Sequence, residues 1–408
     1  MRIEEDKAGY VFTSDHQIYD DYIDLNTQKM LIGRLAMKKG DGKDNKQCLD
    51  YSIKNVGWSI GSFCNANCVQ CYSREIRRNC DLLTKEDILT VLNKLTLLGV
   101  NSINLGGNEP IFTHSLNADD SVLPFLILEA KKRNIVLGIT TNGTTMLLLH
   151  QLYPEVFKMV DDWDVSLDSP FPKEHDSNRG DGFFDTAIQA LELAKRADCK
   201  CSVIYCLMRL NCTQEHAVFL SKLTDKYNVD LRINTLKPTR KELFKLEADV
   251  KQIHDFFQTI NRHYKSIYIS DVASVLNNDG IVNCPCGKYS FAISPKKNGE
   301  IPITPCVYLQ DYSVGNLLKD DIPTLLEKDI FRIFRNREPK SCLKCEEIES
   351  CSGGCLAYIL LTSHYEQCDN RCPILHESIT KLKFQRPSIS DRTHVHENYL
   401  CTWIGENR

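Results

Sequence analysis

The sequence predicts an α/β fold in which an open partial (β/α)6 barrel of the TIM type is followed by a cysteine-rich C-terminal domain. Between residues 55 and about 270, short apolar segments alternate with longer segments whose apolar residues recur at helical spacing. Such alternation requires parallel strands joined by right-handed crossovers. A doubly wound sheet shows the same alternation, but six units with glycine- or acid-containing loops favour the open barrel.

Six strands are predicted in this region, and most end in loops that carry polar residues or glycine. In chain order they are NVGWSIG, SINLGG, IVLGITTNG, WDVSLDS, CSVIYCLM and DLRINTL. Cys201 and Cys206, in the fifth strand, are predicted to be small buried residues. Because the carboxyl ends of the strands meet on one rim of such a barrel, we expect the functional site there.

Helices are predicted after these strands, from the spacing of their apolar residues. They cover TKEDILTVLNKLTLLG, SVLPFLILEAKKRN, residues 145–159, FFDTAIQALELAKRA, residues 214–227 and residues 247–263. Thr84 is the expected N-cap of the first helix. Asp87 follows it by three residues, as in a capping box.

The composition is that of an ordinary globular protein. Of 408 residues, 42% are hydrophobic and 25% are charged, with a net charge of −4. No basic surplus indicates a nucleic-acid partner, and no apolar run approaches the roughly 18 residues of a membrane span. The start, MRIEEDKAGYVF, lacks the layout of a signal peptide. We therefore expect a cytoplasmic location, where 19 cysteines indicate metal binding rather than disulfides.

Three cysteines, Cys64, Cys68 and Cys71, follow the first predicted strand in SFCNANCVQCYS. A disulfide uses two cysteines, and a tetrahedral zinc site uses four ligands. Three thiols in one loop therefore indicate either a distant fourth ligand or a metal site left one ligand short. The next strands end in GGNEP, TTNG and SLDS, which the barrel would bring to the same rim.

The Cx₃Cx₂C spacing of these cysteines resembles that of the radical S-adenosylmethionine (radical SAM) enzymes. The resemblance implies that three thiolates hold a 4Fe–4S cluster, whose fourth iron binds the amino and carboxylate groups of S-adenosylmethionine. It further implies reductive cleavage of the cofactor to a 5′-deoxyadenosyl radical, which abstracts a hydrogen atom from the substrate.

The later strand ends resemble the cofactor-binding elements of this family. GGNEP resembles the family's GGEP stretch with an inserted asparagine, and TTNG and SLDS resemble strand ends that contact ribose and methionine. By this resemblance the expected cofactor-binding residues are Gly106, Gly107, Glu109, Pro110, Asn142, Ser166 and Asp168.

Two further residues are assigned to the cofactor by the same resemblance. KEHDSNRGDGFF resembles the HDxxRG segment of one subgroup, so Arg179 is expected near the cofactor carboxylate or the substrate. Gln70 stands where many members have an aromatic residue beside the adenine, and Tyr72 is expected to replace it.

Nine more cysteines between residues 284 and 372 resemble the SPASM extension of these enzymes, which holds two auxiliary 4Fe–4S clusters. The resemblance groups Cys342, Cys345, Cys351 and Cys372 in one cluster, and Cys284, Cys286, Cys306 and Cys355 in the other. Cys368 is then spare, although the roles of Cys368 and Cys372 could be reversed. We expect Cys368 to be a catalytic thiol that quenches a substrate radical. A zinc-ribbon alternative would leave five of the nine cysteines unassigned.

The predicted organisation has four parts. Residues 1–54, with a β-segment in GYVFTS, are expected to be a shortened leader-peptide-binding module. Residues 55–270 are the barrel, and residues 271–376 are the SPASM domain, with a helix at 323–335. Residues 377–408 are expected to be a loosely ordered tail, with a cover for the active site, using Trp403 and Cys401, as the alternative.

The expected function is modification of a ribosomally made peptide by crosslinking, thioether formation, epimerisation or oxidation, with a net two-electron oxidation favoured. Oxidation or epimerisation of a small molecule such as a sugar or aminocyclitol is the alternative. A zinc-stabilised binding protein is the alternative from another class. The expected partners are a flavodoxin- or ferredoxin-type electron donor and a separate leader-peptide-binding protein, without nucleic acid or membrane.

Overall fold

The computed structural model describes most of the chain. It covers residues 51–269, 284–337, 339–363, 366–376 and 402–407, and the single positions 379, 382, 384, 395 and 399. For residues 2–6, 9–13, 266–269 and 349–350 only the backbone is described. Residues 14–50 of the predicted N-terminal module, and Cys401, lie outside the described residues.

Twelve strands are present in the described residues. They are β1 (Arg2–Asp6), β2 (Gly9–Thr13), β3 (Asn55–Trp58), β4 (Ser102–Leu105), β5 (Val136–Thr141), β6 (Asp162–Ser166), β7 (Cys201–Leu207), β8 (Asp230–Thr235), β9 (Tyr264–Ile269), β10 (Ser290–Ile293), β11 (Ile303–Thr304) and β12 (Trp403–Asn407). Strands β3 to β8 are the six predicted strands. Strands β1 and β2 form an antiparallel pair, which confirms the β-segment predicted in GYVFTS.

Ten of these strands form one sheet in the order β11-β10-β3-β4-β5-β6-β7-β8-β12-β9. The strands from β10 to β8 are parallel, and β11 and β12 pair antiparallel to their neighbours. The six predicted strands lie side by side in chain order, so their carboxyl ends share one edge. This is the arrangement that the alternating sequence pattern predicted.

The helices largely confirm the predicted positions. They are α1 (Lys85–Leu98), α2 (Leu123–Lys132), α3 (Thr144–Leu152), α4 (Pro154–Phe157), α5 (Pro172–Arg179), α6 (Phe183–Ala197), α7 (Gln214–Tyr227), α8 (Val250–Ile260), α9 (Ile322–Leu326), α10 (Asp329–Asn336), α11 (Ile348–Cys351) and α12 (Leu356–Thr362). No helix in the described part of the chain has the length and apolar character that a membrane crossing needs.

Local sequence signals explain where several of these helices begin and end. The capping box of α1 is confirmed, because the Asp87 amide donates to Thr84 Oγ1 at 3.1 Å and the Thr84 amide donates to Asp87 Oδ2 at 2.9 Å. The helix predicted over 145–159 is two helices, since Pro154 lacks an amide hydrogen and starts α4. The helix predicted over 323–335 is likewise divided, into α9 and α10.

One continuous hydrophobic core joins the barrel to the C-terminal cysteine-rich region. Val56, Ile103 and Val165 in the sheet and Leu325 and Phe331 in the C-terminal helices are at most 1% exposed and belong to the same cluster. The two regions therefore stabilise each other through shared apolar burial.

Residues 403–407 form a strand, whereas a loosely ordered tail was expected over residues 377–408. Strand β12 lies between β8 and β9, and Trp403 is 1% exposed. The Trp403 ring packs edge-on against Phe257 and Tyr264, with ring centroids 5.8 and 5.7 Å apart. The prediction was wrong because β12 is completed by strands that end more than 130 residues earlier in the sequence. Trp403 is thus a core residue of the sheet, not a cover over the active site.

Tyr399, just before β12, reaches the opposite part of the sheet. Its carbonyl oxygen accepts a hydrogen bond from Ser290 Oγ, and its ring lies against the backbone of Gly57 in β3. A Cβ atom on Gly57 would lie 1.7 Å from Tyr399 Oη. Gly57 is therefore required by the close approach of the C-terminal segment.

We predict that Gly57→Ala lowers the free energy of unfolding by about 1–3 kcal/mol, because the new methyl group overlaps the Tyr399 ring. Gly106→Ala is the matched control, since its Cβ would meet nothing closer than Thr140 Cβ at 3.5 Å. Chemical denaturation of both variants measures the difference. Equal stability of the two would show that Tyr399 does not pack on β3.

Candidate active site

A cavity opens at the carboxyl ends of the parallel strands, where the sequence predicted the functional site. Its empty space is about 930 Å³, including the mouth open to solvent. Cys64, Cys68 and Cys71, the three cysteines that follow β3, all line this cavity. Of the predicted cofactor-binding residues, those that line it are Tyr72, Gly107, Glu109, Asn142, Ser166 and Arg179. Gly106, Pro110 and Asp168 are not among its lining residues.

Arginines hold the backbone of the cysteine loop that follows β3. Arg240 donates to the carbonyl oxygens of Cys71 at 2.7 Å and Val69 at 2.8 Å. Arg74 donates to the carbonyl oxygen of Asn67 at 3.0 Å. With its carbonyl groups bonded in this way, the loop presents its thiols to the cavity in a defined conformation. Neither arginine was predicted from the sequence, and no local pattern marks Arg240, which lies far from the cysteine loop in the chain.

Two further arginines place positive charge beside the thiols. Arg77 Nη2 lies 3.7 Å from Cys71 Sγ, and Arg179 Nη1 lies 3.7 Å from Cys68 Sγ. Burial opposes ionisation of Cys71, but hydrogen bonds with Ser73 and the charge of Arg77 outweigh it and lower the pKa of this thiol. The thiolate is the form that binds metal, so this environment favours a ligand.

Cys64 and Cys68 differ from Cys71 in their protonation. Burial, with a smaller effect of the Glu109 charge, raises the pKa of Cys64 to about 12. Burial also raises the pKa of Cys68, and Arg179 acts in the opposite direction. Both thiols are therefore protonated in the metal-free protein at neutral pH. They would lose their protons on binding metal.

Arg179 is held by a buried ion pair with Asp168. Its Nε donates to Asp168 Oδ2 at 2.6 Å and its Nη2 donates to Asp168 Oδ1 at 3.1 Å. The side chains of Arg179 and Asp168 are only 12% and 0% exposed. The backbone amide of Asp168 donates to His175 Nδ1 at 3.1 Å. Asp168, predicted to contact the cofactor, is therefore placed behind Arg179 and orients it toward the cavity.

Glu109 connects the loops that follow β4 and β5. Its carboxylate accepts hydrogen bonds from the amides of Asn142 at 2.9 Å and Thr145 at 2.7 Å, and from the hydroxyls of Thr141 and Thr145. Because Thr145 lies in the first turn of helix α3, the carboxylate lies near the positive end of the helix dipole. Asn142 in turn donates to Asn65 Oδ1 at 2.9 Å, which joins this part of the rim to the cysteine loop.

The glycine stretch has a steric reason to be glycine. Gly107 has a φ of +84°, and a Cβ on it would lie 2.1 Å from Ser59 Oγ. Ser73 Oγ donates to the carbonyl oxygen of Gly107, so the glycine backbone packs directly against the cysteine loop. This close packing supports the predicted role of Gly107 in cofactor binding, because a side chain at this position would push the loop after β4 away from the cysteine loop.

The cavity is also lined by residues that were not predicted to take part in the site. Cys206, at the end of β7, is half-buried and lines the cavity, whereas it was predicted to be a small buried residue like Cys201, which is buried. Lys237 and Tyr308 line the cavity as well. The Tyr308 ring packs edge-on against Tyr72 with centroids 5.0 Å apart. Cys206 and Lys237 lie at or near strand ends, the signal that could have identified them.

The second cysteine region contains two separate groups of thiols. In the first, the Cys286 thiol is hydrogen-bonded to Cys284 and Cys306, which raises its pKa well above the usual value. Cys355 is buried at the N-cap of α12, and its place in this group stays a prediction.

The second group surrounds another cavity, with about 370 Å³ of empty space. Five cysteines line it, namely Cys342, Cys345, Cys351, Cys368 and Cys372. Cys368 was expected to act on the substrate radical, yet it lies here and is not among the lining residues of the first cavity. The structure therefore gives no support to a catalytic role for Cys368.

The donors around the first cavity fit an iron–sulfur cluster. Three cysteine thiols line it, and thiolates are the protein ligands of 4Fe–4S clusters. Five further cysteines line the second cavity, so donors of the same kind are present there.

Comparison with known proteins agrees with the site. Residues 58–217 match the model of the Radical SAM superfamily. The mycofactocin maturase MftC of Mycolicibacterium smegmatis is 25% identical over 349 residues, which are 80% of this chain and 82% of that protein. An enzyme that uses S-adenosylmethionine radical chemistry follows from this match, and a zinc-stabilised binding protein does not agree with it.

Solved structures share the fold. Streptococcus suis SuiB bound to S-adenosylmethionine has a TM-score of 0.57 and 16% sequence identity, covering 86% of this chain and 84% of SuiB. Native anSMEcpe with bound AdoMet and Kp18Cys peptide has a TM-score of 0.61 and 15% identity, covering 79% of this chain and 94% of that protein. These similarities confirm the predicted α/β partial-barrel fold.

We predict that Arg179→Gln lowers the free energy of unfolding by about 3 kcal/mol, because it leaves the buried Asp168 carboxylate without its cation. The double variant Asp168→Asn/Arg179→Gln should be more stable than this single variant, since no charge is left unpaired. A double-mutant cycle by chemical denaturation measures the coupling. Additive effects would contradict the ion pair.

We predict that stability depends on pH through His175. Burial lowers the pKa of His175 to about 4, so the unfolded chain binds a proton below pH 6.5 that the folded chain does not. The stabilisation that neutral His175 contributes to the folded state is fully present above pH 6.5. It is lost as the pH falls toward 4, by up to about 1.4 kcal/mol per pH unit. Unfolding of wild type and His175→Gln between pH 4 and 8 measures it. The stability difference should favour wild type more as the pH rises, and a constant difference would contradict the prediction.

Proposed function

We propose that this chain, an enzyme whose residues 58–217 form a radical SAM domain, modifies a ribosomally made peptide. The observation that carries the proposal is the convergence of Cys64, Cys68 and Cys71 with Gly107 and Arg179 around one cavity at the carboxyl ends of the strands. When bound there, the 4Fe–4S cluster and S-adenosylmethionine supply the radical that abstracts hydrogen.

The chain's own residues would bind and orient the reactants. Cys64, Cys68 and Cys71 would hold the cluster. For the cofactor, the backbone of Gly107 offers a close approach, and Asn142 and Ser166 offer hydrogen bonds.

Arg179 has two properties suited to this site. It is positioned by Asp168, and its charge lies beside Cys68. It would offset negative charge on the thiolates or on a carboxylate of a bound ligand.

Polar residues at and just after the end of β8 support a polar substrate such as a peptide. Asn234, Thr235 and Lys237 line the cavity, and Lys237 Nζ donates to Thr235 Oγ1 at 2.7 Å. The Tyr72–Tyr308 ring pair closes one side with apolar surface, which would limit access of water to reactive species.

A peptide substrate is also supported by the extent of the similarity to MftC. The 349 aligned residues extend beyond the radical SAM domain into the cysteine-rich region. MftC is named a maturase, SuiB has been solved bound to the precursor peptide SuiA, and anSMEcpe has been solved with AdoMet and a peptide together.

We further propose that the net reaction is a two-electron oxidation. Hydrogen abstraction would remove one electron with the hydrogen atom, and an auxiliary redox site would accept the second electron as a proton leaves the substrate. Tyr308 lines the substrate cavity and follows Cys306 by two residues, so a redox site at Cys284, Cys286 and Cys306 would border the substrate. A flavodoxin- or ferredoxin-type donor in the cytoplasm would provide the low-potential electron. A separate protein would present the leader peptide.

We predict about twelve irons per chain after anaerobic reconstitution, falling to about eight when Cys64, Cys68 and Cys71 are all replaced by alanine, since one cube of four irons is lost. Wild type with dithionite and peptides encoded beside its gene should release 5′-deoxyadenosine and change the peptide mass. The triple variant, with its auxiliary iron retained, is the control for both readouts.

Three results would change this proposal. Zinc in place of iron would contradict the radical reaction altogether. About eight irons in wild type would mean that one auxiliary site is absent. Turnover of sugars or aminocyclitols, with every peptide left unchanged, would show that the substrate is a small molecule.

A further inference from the structure

The second cavity holds one thiol more than a closed cluster uses. Five cysteines line its roughly 370 Å³, whereas a fully ligated 4Fe–4S cube takes four thiolates. We propose that Cys368 and Cys372 are alternative fourth ligands at this site, so that either thiol completes a cluster held by Cys342, Cys345 and Cys351. The inference rests on the proposed function only in requiring that the chain binds auxiliary clusters.

Three of the thiols are placed by short local structures. The Cys345 amide donates to the carbonyl oxygen of Cys342 at 2.9 Å, which puts both on one turn. Cys351 ends the short helix α11, and its amide donates to the carbonyl oxygen of Glu347 at 2.8 Å. These cysteines belong to one stretch of ten residues and form one side of the site.

Cys368 is fixed at the cavity from a different direction. Its amide donates to Ser341 Oγ at 2.9 Å, and its thiol is hydrogen-bonded to that of Cys342. The next residue, Asp369, is anchored by its amide to the carbonyl oxygen of Gly353 at 2.9 Å. With 8% of its surface exposed, Cys368 is one of the more deeply placed thiols of the group.

Cys372 reaches the same cavity one turn later. Its amide donates to the carbonyl oxygen of Asp369 at 2.9 Å, so a tight turn brings the two thiols to one space. Cys372 lies near Cys351, whereas the Cys368 thiol contacts that of Cys342. Cys368 and Cys372 thus approach the site next to different cysteines of the group formed by Cys342, Cys345 and Cys351.

The surroundings suit a site that carries this much negative charge. Arg337 lies close to this group of cysteines, and its Nη1 donates to the carbonyl oxygen of Ser352 at 2.9 Å. A Cβ on Gly353 would lie 3.2 Å from Arg337 Nη1, and a Cβ on Gly354 would lie 2.7 Å from Asp369 Cβ. The two glycines therefore let the arginine and the loop that carries Cys368 pack directly on the site.

Iron content tests the proposal in the full-length protein. Cys368→Ala and Cys372→Ala should each keep about twelve irons per chain, while the double variant should keep about eight. Cys199→Ala is the matched control, because Cys199 is half-buried and lines neither cavity. Circular dichroism of each variant checks the fold.

Thiol alkylation followed by mass spectrometry is the second readout, and it needs only the single variants. In iron-loaded Cys368→Ala, Cys372 should resist alkylation, and in Cys372→Ala, Cys368 should resist it. Both thiols should become reactive when a chelator removes the iron. This result supports the proposal even when the double variant does not fold.

Each other outcome overturns the proposal. Loss of about four irons in only one single variant identifies that cysteine as the sole fourth ligand. Retention of about twelve irons in the double variant shows that neither thiol is a ligand. The Cys64/Cys68/Cys71 triple variant separates the two proposals, because it loses iron only when the radical site holds a cluster. Wild type without iron overturns both.

Discussion

The placement of negative charge among buried thiols is the constraint on which the rest of this structure depends. Burial raises the pKa of Cys64 and Cys68, yet metal binding requires thiolates. Arginine side chains beside Cys68 and Cys71 reduce this cost. Since an arginine buried near a cavity needs its own counter-charge, Asp168 follows as the partner of Arg179. One requirement of the site thus explains a chain of buried polar contacts behind it.

The same constraint explains why so much of the rim is held by hydrogen bonds rather than by apolar packing alone. Glu109 joins the loops after β4 and β5, Asn142 joins this pair to the cysteine loop, and Arg240 holds that loop from the end of β8. Loops from separate strands would otherwise move independently of one another. These connections hold the thiols and the cofactor-binding backbone in fixed positions relative to one another.

The C-terminal segment has a comparable role on the other parts of the sheet. Strand β12 extends the sheet beyond β8, and Tyr399 packs on β3 while its carbonyl group bonds to β10. The chain end therefore bridges strands that lie far apart in the sheet order. Together with the shared hydrophobic core, this bridge couples the barrel to the cysteine-rich region that follows it.

The sequence alone determined the features that depend on local pattern. The alternation of strands and helices, the capping box at Thr84 and the three-cysteine loop were all predicted, because periodicity and spacing act within a few residues. Gly107 and the other candidate cofactor residues were instead assigned by resemblance to a family, and six of these nine residues line the first cavity.

Only the tertiary structure decided which distant residues meet. It brought Lys237, Cys206 and Tyr308 to the same cavity as the thiols and placed Cys368 among the residues that line the second cavity. It also showed residues 403–407, expected to belong to a loose tail, as strand β12. These contacts join residues tens to hundreds of positions apart, and they form because burial and backbone pairing are satisfied globally. No local spacing in the chain encodes such a meeting.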